Sequence, residues 1–169
     1  KAILAADHGE IEFQGKLNVG KDGSLITSNA VVYSDDAEVT IKDSTINMYL
    51  ADNSNGFYAL NSSDPTNKNP QNSQSQIKIE KDANVKLNGN GVGITAGNGG
   101  HIDLSGATIE ATGLKSALAS IADVENTSYI NAKNATITYD GDSYAIYSRQ
   151  KDAQINLDHA TINLKGNSY

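Results

Sequence analysis

Ile102-Asp103-Leu104-Ser105-Gly106-Ala107-Thr108-Ile109-Glu110-Ala111 and Ile155-Asn156-Leu157-Asp158-His159-Ala160-Thr161-Ile162-Asn163-Leu164 are two copies of one unit. Each copy is a pair of apolar-polar-apolar stretches joined by a small-residue corner. The same text returns as Val39 to Met48, as Ile77 to Leu87 with one extra residue, and as Ile130 to Tyr139. Alternation with period 2 puts Ile102, Leu104, Ile109 and Ala111 on one side of their strands and Asp103 and Glu110 on the other, so the apolar set faces a core. A third short strand follows each pair, read as Tyr58-Ala59-Leu60, Val92-Gly93-Ile94, Ser116-Ala117-Leu118 and Tyr144-Ala145-Ile146.

The first inward residues, Ile11, Val39, Ile77, Ile102, Ile130 and Ile155, are spaced by 28, 38, 25, 28 and 25 residues. Three strands per period with no helical stretch between them imply turns that stack in parallel. The expected fold is all-β: a right-handed, single-stranded parallel β-helix of about six turns, on the order of 30 Å long at the usual strand spacing. An antiparallel sandwich also has short alternating strands. Its hairpin signals, Asn55-Gly56 and Asn88-Gly89, fall at one place in successive repeats, where a solenoid corner needs positive φ.

Composition agrees with a narrow aliphatic core. The chain of 169 residues is 38% hydrophobic and 6% aromatic, with 15 glycines, two prolines and no tryptophan. A formal charge of −7 and a single arginine, Arg149, leave no basic face for nucleic acid or an anionic membrane. Absence of cysteine excludes disulfides and thiolate metal sites and suits export through an oxidising periplasm. No apolar run is long enough for membrane insertion, and Lys1 to Glu10 lacks a signal-peptide layout. Lys1 to Ala5 reads as the third strand of an incomplete turn, and Asn167-Ser168-Tyr169 stops where Asp142-Ser143-Tyr144 continues. The expectation is one uncapped β-helix segment, 1–169, of a longer protein.

Gly99-Gly100-His101-Ile102-Asp103-Leu104-Ser105-Gly106-Ala107-Thr108-Ile109 carries a small residue before an inward isoleucine, then a small-Thr-Ile corner step, with Ala-Ile or Ala-Leu third strands elsewhere. This text resembles the pertactin-like passenger domains of type V autotransporters. The resemblance runs over nearly the whole chain and is weakest over 14–29 and 49–75. It implies a Gram-negative surface or secreted protein, exported through a C-terminal translocator barrel in the parent chain. It also implies an adhesin or receptor-directed effector whose partner is a host-cell surface protein or the extracellular matrix. The fold by itself implies none of these activities.

Breaks in the repeat mark candidate recognition sites, because regular strands are scaffold. From third-strand residue to next anchor the usual distance is eight or nine residues, whereas Leu60 to Ile77 takes 17 and Leu118 to Ile130 takes 12. Both excesses fall at the same corner, so both are expected on one face. The longer, 61–76, holds Asn61, Asp64, Pro65, Lys68, Pro70 and Gln71 among serines and asparagines and is read as a binding loop or a tolerated insertion. A second corner is enlarged in the first two turns, Val19 to Val31 and Met48 to Leu60. Tyr33, Tyr49, Phe57 and Tyr147 are candidate exposed aromatics or inward packing residues.

Enzymatic signals are weak. A pectate-lyase-like lyase or hydrolase needs clustered carboxylates at a fixed separation. Asp35-Asp36, the adjacent acidic pair, reads as a solvated turn. His8, His101 and His159 are dispersed over different turns, and His101 and His159 are expected to face solvent. Gly89-Asn90-Gly91-Val92-Gly93 has no helix after it and is not a nucleotide loop. A non-enzymatic segment without cofactor or metal is therefore the first expectation; a carbohydrate-active enzyme and a passive spacer are the alternatives.

Overall fold

In the computed structural model, which describes residues 4–167, the repeat becomes six stacked turns of three strands. Turn 1 holds β1 (Leu4–Asp7), β2 (Glu10–Phe13) and β3 (Lys16–Val19); turn 2, β4 (Val32–Asp35), β5 (Glu38–Ile41) and β6 (Thr45–Leu50). Turn 3 holds β7 (Asn55–Leu60), β8 (Gln76–Ile79) and β9 (Asn84–Gly89); turn 4, β10 (Val92–Ala96), β11 (His101–Asp103) and β12 (Thr108–Thr112). Turn 5 holds β13 (Ser116–Ile121), β14 (Ser128–Asn131) and β15 (Thr136–Asp140); turn 6, β16 (Ile146–Arg149), β17 (Ala153–Asn156) and β18 (Thr161–Lys165). Corresponding strands pair in parallel into three six-stranded sheets, the arrangement of a β-solenoid. The readings placed on Lys1 to Ile3 and on Ser168 and Tyr169 lie outside the described residues.

The second sheet keeps the sequence register: Ile11, Val39, Ile77, Ile102, Ile130 and Ile155 form one inward column. In the third sheet Leu17, Ile46, Val85, Ile109, Ile137 and Ile162 do the same. Val39, Ile77, Ile102 and Ile130 are fully buried. Each such side chain contributes about 1.5–3 kcal/mol relative to exposure.

The first sheet departs from the sequence reading. Its inward column is Leu4, Val32, Phe57, Ile94, Leu118 and Ile146, so Phe57 rather than Leu60 stands beside Ile94, and Val32 rather than Val31 belongs to the column of Ile94. Phe57 is fully buried, and its candidacy as an exposed aromatic is therefore corrected. The register is set two residues further on, where Ala6, Ser34, Ala59, Ala96, Ser120 and Ser148 stack at the corner into the second sheet. Only small inward side chains fit so sharp a bend, and a column through Val31 would bring Tyr33 into it. The serine hydroxyls there bond the corner itself: Ser34 Oγ donates to the Ala37 carbonyl at 2.6 Å and Ser148 Oγ to that of Ala153 at 2.7 Å. With Phe57 as the reference, the corner after Met48 is only slightly enlarged, and 20–31 is the large one. Gly56 lies within β7, where a Cβ would come 2.7 Å from the Gly93 carbonyl, so close stacking and not a turn requires it.

Between the second and third sheets a left-handed residue recurs two positions before the strand: Asp43 (φ 45°), Gly106 (φ 72°), Asn134 (φ 57°) and His159 (φ 54°). Aspartate, asparagine and histidine tolerate this conformation better than most side chains. His159 is thus explained as a corner residue, and its side chain is 76% exposed as expected.

Candidate recognition face

The insertion of turn 3 and the expanded corner of turn 5 meet. Between them turn 4 has the short corner Gly97-Asn98-Gly99-Gly100, and the insertion lies over it. A Cβ on Gly99 (φ +71°) would stand 2.6 Å from the Asp64 carbonyl and 2.7 Å from that of Asn61. Thr127 of turn 5 closes the joint: its amide donates to the Pro65 carbonyl at 2.9 Å, its hydroxyl to the Asn67 carbonyl at 2.8 Å, and its carbonyl accepts from Gly99 N at 2.7 Å. Asn98 and Asp123 add a reciprocal pair, both bonds 2.7 Å.

On the other side the insertion is held by turn 2. Asp35 accepts from Ser62 N at 2.8 Å and Ser62 Oγ at 2.7 Å; Asp36 accepts from Ser63 N at 3.1 Å and Ser63 Oγ at 2.7 Å. The acidic pair read as a solvated turn is the anchor of the loop. His8 Nε2 lies 3.6 Å from Asp36, and Tyr33 donates to Asp35 at 3.2 Å. Burial, then the Asp35 charge, pushes the Tyr33 hydroxyl up to about 12, so Tyr33 stays a donor at any physiological pH.

Inside the loop Asn61 is buried, and its side-chain carbonyl accepts from Ser63 Oγ and Asp64 N. Pro70 opens a single 3₁₀ turn, Pro70–Asn72, and is buried against the rod. Asn61 and Pro70 therefore hold the loop rather than present it, while Asp64, Lys68 and Gln71 are exposed and Pro65 is half-buried.

The 3₁₀ turn lies against β14, and the backbone of Ser73 just after it reaches His101, a second correction: the expected solvent-facing histidine is only 5% exposed. Its ring points outward from β11, as the alternation required, into the underside of the loop. The Tyr129 ring meets it edge-on at 5.3 Å, and both ring nitrogens are buried without completing a hydrogen bond. Burial draws its pKa below the ordinary histidine value, outweighing Asp103 and the nearby Ser73 backbone, which favour the charged ring.

Of the aromatic candidates, Tyr33 and Tyr58 sit together on the outer face of the first sheet, centroids 6.4 Å apart, and Tyr147 stacks on the exposed Tyr144 at 5.6 Å, away from the loop. Tyr49 is half-buried on the third sheet. Nothing brings these four into one surface with the insertion. The sequence reading missed the anchoring role of Asp35 and Asp36 and did not single out Thr127. Only the second long spacing, Leu118 to Ile130, pointed toward that corner. Among the described residues no group of three or more His, Asp or Glu could hold a metal ion. No protein-family model, curated protein or solved structure matches this chain.

Proposed function

We propose that the chain is a non-enzymatic recognition segment of a pertactin-like autotransporter passenger, displayed outside a Gram-negative cell. It engages a host-cell surface receptor or matrix component through the face where 61–76 meets the corner at 122–127. The observation that carries this reading is the anchoring of the insertion to turns 2 and 5. A tolerated insertion has no reason to be fixed to turns on both sides of it, across four levels of the rod. A fixed one loses little further entropy when it binds.

The test is saturable binding of the purified chain to host cells, compared with a variant in which 62–75 is replaced by the short corner between Ile94 and Ile102. Binding lost in a variant with unchanged circular dichroism supports the proposal. Equal binding by both overturns the assignment of the loop, and no binding by either favours a spacer, to be checked by removing whole turns from the parent protein.

A further inference from the structure

The insertion leaves one concave place that its own hydrogen bonds do not fill. Thr66, Lys68, Pro70 and Gln71 of the loop face Glu125 and Thr127 of turn 5 and Asp152 and Gln154 of turn 6, around a cleft of about 370 Å³. That volume is at the low end of the roughly 300–1,000 Å³ of small-molecule sites.

Some charged side chains of the rod pair between rungs, as in Lys42–Glu12 at 2.9 Å, Lys133–Asp158 at 3.4 Å and Lys86–Glu110 at 3.6 Å. In the cleft they do not. Lys68 shares it with Glu125 and Asp152 yet comes within 4.0 Å of neither, and the Gln71 and Gln154 amides have no side-chain hydrogen bond among the described residues. An ammonium, two amides and the Thr66 hydroxyl can donate, while two carboxylates accept.

This set selects a chemistry. Two negative charges against one positive disfavour an anion. Apart from side-chain stems, Pro70 is the apolar element, so a peptide's aromatic or aliphatic anchor would find no pocket. Hydroxyl groups, which donate to carboxylates and accept from ammonium and amide groups, satisfy both kinds of wall. We propose that the cleft binds a neutral, hydroxyl-rich saccharide of one or two rings, such as the end of a host glycan. This rests on the recognition reading above and names what that face recognises. Glu125 and Asp152 accept from sugar hydroxyls; Lys68, Gln71 and Gln154 donate to ring or hydroxyl oxygens. Each such bond gives only a modest net gain, so one sugar unit binds at about 1 mM.

The test is titration of the ¹⁵N-labelled chain with methyl glycosides of glucose, galactose, mannose and N-acetylglucosamine, and with lactose and cellobiose, each to about 20 mM. Saturable amide shifts confined to 65–71, 123–127 and 151–154 are expected for at least one sugar. They should weaken at least tenfold in a Glu125→Gln, Asp152→Asn double variant whose other resonances stay in place. Absence of saturable shifts, indifference to the double variant, or tighter binding of N-acetylneuraminic acid than of every neutral sugar would each overturn the proposal. Loop-dependent cell binding without sugar shifts removes the saccharide and leaves the recognition reading standing. Sugar shifts without cell binding do the reverse.

Discussion

His101 makes the rod sensitive to acid in a way one substitution isolates. The residue is 5% exposed beside Ser73 of the loop, and neither ring nitrogen completes a hydrogen bond. In the unfolded chain it titrates at about 6.5; in the folded chain burial holds its pKa lower. Between those two values the unfolded state carries a proton at this site that the folded state does not, so acid favours unfolding. Stability from the neutral ring is fully present above about pH 6.5. As pH falls below that it is lost at up to about 1.4 kcal/mol per unit, and the loss levels off once the folded pKa is passed. His101→Phe keeps the ring, its edge contact with Tyr129 and the cover of the loop, and removes the proton site. Urea midpoints of the two proteins at pH 8, 6 and 5 should match, or favour the variant slightly, at pH 8 and diverge in its favour below 6. His8, His159 and every carboxylate are common to both and cancel in the difference. If acid instead lifts only the loop, amide exchange at 99–103 and 127–130 accelerates in the wild type before the midpoint moves. Parallel stability curves together with parallel exchange would refute the burial of a neutral His101.

Two further substitutions test the packing. Ile102→Asp, at a fully buried position of the second sheet, should cost more than about 4 kcal/mol and unfold neighbouring turns; unchanged circular dichroism and melting would contradict the inward column. Gly99→Ala and Gly23→Ala both place alanine at positive φ, +71° and +73°, but only at Gly99 does a Cβ meet the loop, at 2.6 Å from Asp64 O. Both should lose about 1–2 kcal/mol to backbone strain. Only Gly99→Ala should speed amide exchange over 61–67, and equal exchange in the two variants would remove the loop from its place over the turn 4 corner.

The second and third sheets were legible because their inward positions alternate cleanly and are occupied by isoleucine, valine or leucine in nearly every turn. The first sheet was not, because Val31-Val32-Tyr33 and Gly56-Phe57-Tyr58-Ala59-Leu60 each offer two overlapping apolar alternations. At Val32 what decides is the stacking of small residues at the corner, a property of neighbouring turns and not of the local text. The loop could be found by spacing alone, but its partners could not. Ser62 and Ser63 are bonded to residues 27 positions earlier, and Asn67 to one 60 positions later. His101 was placed outward correctly by alternation. Its burial followed from a fold-back of 61–75 that periodicity does not encode.

That fold-back changes how the rod should respond to perturbation. In a regular solenoid each turn touches only its neighbours, so effects in turns 2 and 5 should simply add. Here one segment bonds to Asp36 of turn 2 and Thr127 of turn 5, which lie three levels apart. Asp36→Gly removes the carboxylate while suiting the positive φ of 50° at that position, and Thr127→Val removes the hydroxyl that holds Asn67. Either change alone leaves the segment tied at its other end. With both, its ordering is supported by the Asp35–Ser62 bonds, the Asn61 side chain, backbone bonds and the packing of Pro70, and the loss should differ from the sum of the single losses by about 0.5–1.5 kcal/mol. The same non-additivity should appear in amide exchange of 62–73. Additive losses would mean that the two ends are independent, that the segment does not act as one clamp, and that the preorganisation on which the recognition proposal rests is absent.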